Sequence, residues 1–592
     1  MVLINLHPTD TMKENRSIKK YIPYIVLTLA ALSLLYRARL SFCWSDECFY
    51  FSTTDRFLSG DLMVRDEWFP TQFVSIILMP LQALYRGIAG SYDGVILYFR
   101  VLYVLFSFAT SCYIFAVLSK RNGRFSLWSA LGCALWYMFY VHLNIATLSY
   151  YTLSMGFFLI FLLLVYDSLR ETKDLKLILS GLFLALAVLS LPTLAAAYFI
   201  LVAAALLVSL VIKSGAKTLR RSILMNFLGI LIPAVPVTAY LLLTSGISGI
   251  MEGMVYVLSD EEHRTSLTGP FKNFFTSVYD VYSKPLVFIC LGLFAAGLIS
   301  HVINSRAKNY IEAVIFISSL AAFGFGIYKA GLHTGFSAAA LLFAALPIFA
   351  ITDMKKRDLG MFLTLFAGGL VFSMVYSYSS MCDLYVLSIG HNISALAGIC
   401  FISDHAGEET SSAGKLTVIR AGACGLIVIM CISLNACLRF ENIYRDDMPE
   451  KLTAKVTSGV AKGLYTSPEH LEVYESLLSD IRSLTGPASK VFFTKLLPWG
   501  YLSCDSVCGA PTTWRTEVSS DRLRLYYERF PERVPDVVFV MDDEVGSYES
   551  CGDVEADPCP NTNHIEGFLI NLMDREGYSK LEREYCTVYI KQ

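Results

Sequence analysis

Long apolar segments alternate with short polar ones along most of the chain, and this pattern predicts a bundle of membrane-crossing helices. A span needs about 20 mostly apolar residues, and roughly thirteen stretches meet that requirement. The predicted spans are residues 21–40, 95–119, 126–143, 148–166, 175–191, 193–212, 222–244, 285–304, 309–330, 334–352, 359–377, 384–402 and 416–437. A longer, mixed segment at 41–94 separates the first two spans, and its second apolar piece, Phe73 to Leu84, predicts an interfacial helix.

The charges between the spans predict the orientation of the chain. Alternate loops are basic, beginning with Lys19 and Lys20 and continuing at residues 120–124, 170–176, 213–221, 306–308 and 355–357, except for the last, an acidic stretch that ends at Lys415. The intervening loops are acidic or nearly uncharged. Because Lys and Arg concentrate in cytoplasmic loops, we expect a multi-pass protein of the cell membrane with a cytoplasmic N-terminus and an extracytoplasmic C-terminal end.

The pattern changes after the last predicted span. The stretch SPEHLEVYESLLSDIRSL has helical periodicity, with Ser467 and Pro468 as a helix start. The runs KVFFTKL, DVVFVM and CTVYI are typical of short strands. We therefore predict two domains: a mainly α transmembrane bundle at 1–437, with an outer loop at 41–94, and a small extracytoplasmic α/β domain at 438–592.

Composition supports the membrane assignment. The 592 residues are 55% hydrophobic and 17% charged, with a mean hydropathy of +0.53, too apolar for a soluble chain. The net charge of −2 argues against nucleic acid as a partner. In the tail, Cys504 with Cys508 and Cys551 with Cys559 can form local disulfides if that domain is extracytoplasmic, and the sequence leaves their pairing open.

The candidate chemistry begins at Ser45-Asp46-Glu47, directly after the first predicted span. Carboxylates at a membrane boundary are costly, which makes them candidates for function. We expect a short helix over 46–59, lying on the membrane and ended by Gly60. Asp46 would then lie at the positive end of the dipole of this helix. Its carboxylate could accept a proton from a hydroxyl or hold a divalent cation. The alternative is a helix cap without chemistry.

The first hundred residues resemble the membrane-integral glycosyltransferases of the GT-C class. The likeness rests on S-D-E after the first span, then CFYFSTTDRFLSG, GDLMVRDEWFP and Arg100, and it is nearest to the protein O-mannosyltransferases and aminoarabinose lipid A transferases. It implies a bundle of GT-C type whose outer loop 41–94 is catalytic. Asp46 matches the essential acidic residue of that class and Glu47 its usual neighbour. Glu67, with Asp66, matches a second acidic site, although Trp68-Phe69-Pro70-Thr71-Gln72 departs from the family pattern there.

The resemblance implies an inverting transfer of a monosaccharide, hexosyl or pentosyl, from a polyprenyl-phosphate donor to a hydroxyl on a glycan, lipid or protein of the cell envelope. Arg100, Lys329 and His333 are the candidates for binding the donor phosphate. The alternative for Arg100 is a side chain that reaches the membrane interface, and for the other two an interfacial anchor. Asp46, Glu47 and Glu67 are the predicted ligands of a divalent metal ion if one is used.

Two other classes of function remain open. A polytopic transporter or flippase for a lipid-linked or small polar substrate also suits the architecture. Such proteins usually show internal repeats and broken helices at the membrane midplane, whereas the charged residues here gather near the predicted outer ends of the spans. A structural or sensory membrane protein whose tail binds a partner is the third class.

Overall fold

The computed structural model describes residues 10–171, 173–212, 216–258, 274–276, 278, 284–303, 306–330, 334–353, 358–379, 383–407, 414–495, 497–514, 519–542, 545 and 562–592. Sixteen helices precede the C-terminal domain in this part of the chain. They are α1 Asp10–Arg37, α2 Asp46–Leu58, α3 Ser75–Ala89, α4 Val95–Leu118, α5 Ser126–Phe139, α6 Tyr150–Arg170, α7 Asp174–Ser190, α8 Leu194–Ile212, α9 Ala216–Thr244, α10 Gly246–Leu258, α11 Lys284–Ser300, α12 Arg306–Ala330, α13 Thr334–Ile351, α14 Leu359–Ser379, α15 Asp383–Ala406 and α16 Gly414–Glu441.

Every predicted span overlaps one of these helices, so the helical interpretation of the apolar segments is confirmed. Within the described residues, eight helices are long and apolar enough to cross a membrane, and several shorter apolar helices accompany them. Pro192 separates α7 from α8, because proline has no backbone N–H to donate and interrupts a helix. The helix predicted from Phe73 to Leu84 is present as α3, preceded by one 3₁₀ turn at Gln72–Val74, and the combined segment Gln72–Ala89 is itself one of the eight candidate spans. The orientation of the bundle stays a prediction.

Paired glycines bring α7 and α9 into close contact. A Cβ atom at Gly181 would lie 1.8 Å from the carbonyl oxygen of Asn226, and one at Gly229 would lie 1.9 Å from that of Ile178. No side chain fits at either position. Small residues of this kind let apolar helices pack with their backbones nearly touching.

Helix α2 is enclosed by protein rather than lying on a membrane surface. Its predicted end at Gly60 is confirmed, because this glycine has a φ of 109°. The apolar residues Phe49, Tyr50 and Phe57 are buried, so the prediction of a helix lying on the membrane is wrong. Periodicity shows an apolar face without showing what covers it. Trp514 of the tail domain packs on Phe49, and Tyr150 of α6 packs on Tyr50. Val257 of α10 belongs to the same apolar cluster as Phe57.

The sequence predicts no helix directly after α9. The segment after α9 reads as an acidic loop, yet its first part forms α10, whose Gly253 packs against the backbone of Val64. The ring of Tyr256 stacks on Trp68 at 4.3 Å. Glu252 accepts from Arg529 at 2.7 Å. Helix α10 therefore joins the loop at 41–94 to the tail domain.

The tail is a small mixed α/β domain. Its helices are α17 Pro468–Leu484, α18 Pro498–Leu502, α19 Ser520–Arg529 and α20 Thr562–Glu576, and its strands are β1 Ala454–Lys455, β2 Tyr465–Thr466, β3 Lys490–Phe493, β4 Val507–Cys508, β5 Val537–Met541, β6 Ser579–Glu582 and β7 Cys586–Ile590. Strands β1 and β2 form a separate antiparallel pair. The main sheet has the order β4-β3-β5-β7-β6, with β3 parallel to β4 and β5 and the β5, β7 and β6 pairs antiparallel. All three predicted strands and the predicted helix start at Ser467, whose hydroxyl accepts from the His470 N–H, are confirmed. The predicted domain boundary after residue 437 lies within α16. Cys504 and Cys508 are free thiols.

Candidate functional site

The end of the first helix is fastened to the end of α16. Arg37, the last residue of α1, donates to the carbonyl oxygens of Leu40, Arg439 and Asn442 at 3.0–3.2 Å. The chain then turns at Ser41, whose φ of 74° is unusual for a residue other than glycine. This turn directs the chain away from α1 and into the segment that precedes α2.

The buried carboxylate of Asp446 holds that segment. Asp446 belongs to the linker between α16 and the tail domain, called the tail linker below. Asp446 accepts from the backbone N–H of Phe42 at 2.6 Å and from the Thr466 hydroxyl at 2.9 Å. Its other oxygen contacts Nδ1 of His470 at 3.0 Å, and the His470 ring stacks on Trp44 at 4.7 Å. The position of Ser45 and Asp46 therefore depends on the tail domain as well as on the bundle.

Asp46 lies in the first turn of α2, with one carboxylate oxygen held and the other open. Its Oδ2 accepts from the hydroxyls of Ser45 at 3.1 Å and Tyr444 at 3.0 Å, and lies 3.0 Å from Nη1 of Arg445. Within the described residues Oδ1 has no partner, and the side chain is 11% exposed. A fixed carboxylate with one accessible oxygen can accept a proton.

Tyr444 and Arg445, the two tail-linker residues that contact Asp46, lie just after the end of α16. Arg445 also donates to the Ser45 hydroxyl, and its φ of 51° places it in the left-handed region. Backbone of this kind persists only where its surroundings enforce it, and such positions cluster at functional sites. Burial, followed by the charge of Asp46, raises the pKa of the Tyr444 phenol well above its ordinary value. Tyr444 therefore keeps its proton and acts as a donor to Asp46.

A group of tyrosine rings from three helices adjoins Asp46. Tyr50 lies one turn after Asp46 on α2, within reach of its electrostatic influence. The Tyr50 ring is 5.6 Å from Tyr150, which is 4.0 Å from Tyr151, and Tyr151 is 6.2 Å from Tyr376 of α14. These rings form a row of contacts from α2 through α6 to α14 that begins one turn after Asp46.

Glu47 has a different environment from its neighbour. Its two oxygens form a two-point ion pair with Arg100, through Nε at 2.8 Å and through Nη2. The third nitrogen of Arg100 donates to the carbonyls of Ala38, Leu40 and Ser41 at 2.9–3.1 Å. Both side chains are buried. The pair anchors the start of α2 to α4, and the predicted role of Arg100 at a donor phosphate stays a prediction.

Asp66 and Glu67 form part of a second buried network on the same loop. Arg56 of α2 donates to Asp61 at 2.7 Å, to Glu67 at 2.8 Å and to the Asp66 carbonyl at 2.8 Å. Arg533 of the tail domain contacts Asp61 at 2.6 Å. Burial raises the pKa of Glu67, although Arg56 and the Thr512 hydroxyl oppose the shift. These contacts fasten the loop to the tail domain.

The structure does not group the predicted metal ligands Asp46, Glu47 and Glu67. In the described part of the chain, no set of three His, Cys, Asp or Glu side chains is arranged to hold a metal ion. Lys329 lies in the last turn of α12, with its side chain outside the described part. His333 is also outside the described residues.

Sequence reasoning missed Tyr444, Arg445 and Asp446. All three fall in the stretch NIYRDDMPEK, which reads as a charged linker. The available signal was the position of this stretch immediately after the last predicted span, since the predicted site also begins directly after a span. Pairing with Asp46, nearly 400 positions earlier, left no pattern in the sequence.

No protein-family model and no curated protein matches the chain. Solved structures do match. One is the archaeal oligosaccharyltransferase AglB from Archaeoglobus fulgidus in complex with an inhibitory peptide and a dolichol-phosphate, with a TM-score of 0.49 and 11% sequence identity. The superposition covers 97% of this chain and 74% of that one.

Proposed function

We propose that the protein is an inverting membrane glycosyltransferase that moves a monosaccharide from a polyprenyl phosphate to an acceptor hydroxyl, with Asp46 as the general base. The observation that carries the proposal is the state of this carboxylate. Three donors hold Oδ2, and Oδ1 has no partner in the described residues. A general base must be fixed in position and have a free lone pair for the incoming proton.

In the proposed reaction, Oδ1 of Asp46 takes the proton of the acceptor hydroxyl. The hydroxyl oxygen attacks the anomeric carbon, and the bond from that carbon to the phosphate oxygen breaks. The electron pair leaves with the polyprenyl phosphate, and the configuration inverts. A single displacement needs one base and a stabilised leaving group, without the closely spaced nucleophile of retaining glycosidases.

Arg445 is the cation that we assign to the leaving group. It contacts Asp46 at 3.0 Å and its side chain is 25% exposed, so a lipid phosphate can approach it. Arginine is well suited to phosphate because its planar nitrogens can form two parallel hydrogen bonds. Lys329 and His333 remain further candidates for the same phosphate. Arg100 and Glu47 act in this scheme as positioning residues, because each is committed to the other.

A transferase assay in lipid nanodiscs tests the proposal. The wild-type protein is given a panel of polyprenyl-phosphate sugars, and release of polyprenyl phosphate and the anomeric configuration of the product are followed. Asp46→Asn keeps the size of the side chain and removes the base, so we expect turnover to fall by about 10²–10⁴-fold. An Asp46→Asn variant with wild-type turnover would overturn the assignment.

Asp521→Asn is the matched control. This aspartate is 80% exposed on α19 and pairs only with the neighbouring Arg524 in the described residues. The same chemical change at that position should leave turnover unchanged. Size-exclusion profiles and melting temperatures of both variants separate loss of the base from loss of the fold.

A further inference from the structure

A cavity lies at the other end of α2, where this helix meets the tail domain. Its volume is about 330 Å³, within the range of ligand sites in proteins. Helix α2 contributes Ser52, Asp55 and Arg56, and Ser59, directly after its last residue, continues the same helical spacing. The opposite wall comes from the tail domain. The cavity is therefore built by both parts of the chain.

The charges around the cavity are balanced. Arg56, Lys490 and Arg533 face the carboxylates Asp55, Asp61 and Glu532. Most of these charges are already paired: Arg56 and Arg533 with Asp61, at 2.7 and 2.6 Å, and Lys490 with Asp536 at 3.1 Å. A phosphate or other anion would meet three carboxylates, and a metal ion three cations. The lining favours a neutral, polar ligand.

Hydrogen-bonding groups that no described residue uses remain in the lining. Asp55 uses Oδ1 for Tyr92 and Arg86, and no described residue donates to its Oδ2. Burial raises the pKa of Asp55, although Tyr92 and Arg86 oppose the shift. The Ser59 hydroxyl adds a group that can donate and accept. A carboxylate acceptor and a hydroxyl group suit the hydroxyls of a sugar ring.

We infer that this cavity binds a neutral saccharide. Its position along α2 separates it from the proposed reaction. Asp46 and Asp55 are nine residues apart on one helix, or roughly 14 Å at 1.5 Å per residue, and they lie on opposite sides of the helix. A ring whose anomeric carbon reacts at Asp46 cannot fill a cavity at that distance. The cavity is therefore a saccharide site distinct from the site of transfer.

Ligand-observed NMR on the full-length protein in nanodiscs tests the inference. The probes are neutral methyl glycosides and disaccharides, with inorganic phosphate and a hexose phosphate as charged comparisons. We expect neutral saccharides to bind with a dissociation constant of about 1 mM or below. Ser59→Trp fills the cavity from an exposed position and should weaken binding at least about tenfold. Ser483→Trp, at an exposed position on α17, should not.

A second variant tests the charge argument without filling the cavity. Glu532→Lys, at an exposed position, gives the lining an excess of positive charge and should add binding of the hexose phosphate. The inference is overturned if no neutral saccharide binds the wild type, if phosphate binds more tightly than neutral sugars, or if Ser59→Trp binds as the wild type does.

The same probes on Asp46→Asn separate this inference from the proposed function. Unchanged saccharide binding with lost turnover supports both. Wild-type turnover in Asp46→Asn refutes the proposed function and leaves the binding result standing.

Discussion

Two pairs of adjacent acidic residues occur on the loop at 41–94, and the structure uses them differently. Asp66 and Glu67 are both buried and bonded to Arg56, to Arg533 or to backbone N–H groups. In the pair at the start of α2, Glu47 is likewise committed to Arg100, whereas Asp46 keeps one open oxygen and some exposure. The same residue types thus form a buried support in one place and a candidate base in the other.

The difference lies in how completely each carboxylate is neutralised. Burying a charge is costly unless a partner compensates it, so Glu47, Asp61 and Glu67 each have a buried arginine. Removing one member of such a pair leaves the other charge buried and alone. Asp46 faces a partly exposed arginine, and its removal should cost little stability and much activity. The following predictions test this division.

The largest effect on stability is expected from Asp61→Asn. Asp61 compensates Arg56 and Arg533, and its loss removes the nearest carboxylate of both largely buried guanidinium groups, leaving Glu67 at 2.8 Å from Arg56 and Asp66 at 3.8 Å from Arg533. We expect a loss of about 3–5 kcal/mol in the free energy of unfolding, measured by denaturant titration in detergent. Asp521→Asn is the control, with a change within about 0.5 kcal/mol.

The effect of Asp61→Asn should depend on pH. Burial alone would raise the pKa of Asp61, but Arg56 and Arg533 outweigh it and hold the pKa below its ordinary value. A carboxyl with a lowered folded pKa adds stability above its unfolded pKa, and this stability is lost as the pH falls through the folded value. The advantage of the wild type should be full at pH 7 and shrink below about pH 4. A difference that does not change with pH would contradict the ion-pair assignment.

Glu47→Gln should have the second-largest effect on stability. The amide keeps an oxygen for Arg100 but removes the charge and presents an NH₂ group to one guanidinium nitrogen. We expect the free energy of unfolding to fall by about 2–3 kcal/mol. Turnover of the molecules that remain folded should stay within a few-fold of the wild type, and a loss as large as that of Asp46→Asn would show that Glu47 takes part in the chemistry.

Arg445→Gln tests the role that we assign to the charge beside Asp46. The variant removes the cation that holds Oδ2 and that we assign to the leaving phosphate. We expect kcat to fall by roughly tenfold to a hundredfold, about 1.4–2.8 kcal/mol in the barrier, with a melting temperature near that of the wild type. Arg445→Lys restores the charge and should recover part of the loss. Equal activity of the glutamine and lysine variants would exclude a role for the charge.

Tyr444→Phe should have the smallest effect. It removes one of three donors to Oδ2 and leaves the ring in place. The loss should be about 1 kcal/mol, roughly fivefold in kcat. A complete loss of turnover would mean that Tyr444 itself transfers a proton.

Most of the fold follows from patterns within single segments. The apolar runs predict the helices, the start at Ser467 predicts α17, and the β-branched runs predict β3, β5 and β7. Helix α10 was hidden because its sequence, GISGIMEGMVYVL, is short and glycine-containing and adjoins an acidic loop. The two-residue strand β4 carries too little sequence to show a pattern. Its pairing with β3 is a tertiary contact.

The site was predicted less completely because contacts between distant segments define it. Asp46 and Glu47 stand out as charges at a membrane boundary, and they lie together at the start of α2. Which carboxylate is open and which is compensated depends on Arg100, which follows Glu47 by 53 residues, and on Arg445, which follows Ser45 by 400 residues. Periodicity and local spacing contain no information on such pairings.

The most direct test of the central claim is a single-turnover measurement on Asp46→Asn with a polyprenyl-phosphate sugar bound and acceptor in excess. The account predicts that the variant is folded and binds the lipid donor as the wild type does, yet forms product at least about a hundredfold more slowly. Product formed at the wild-type rate would show that the open carboxylate of Asp46 is not the base.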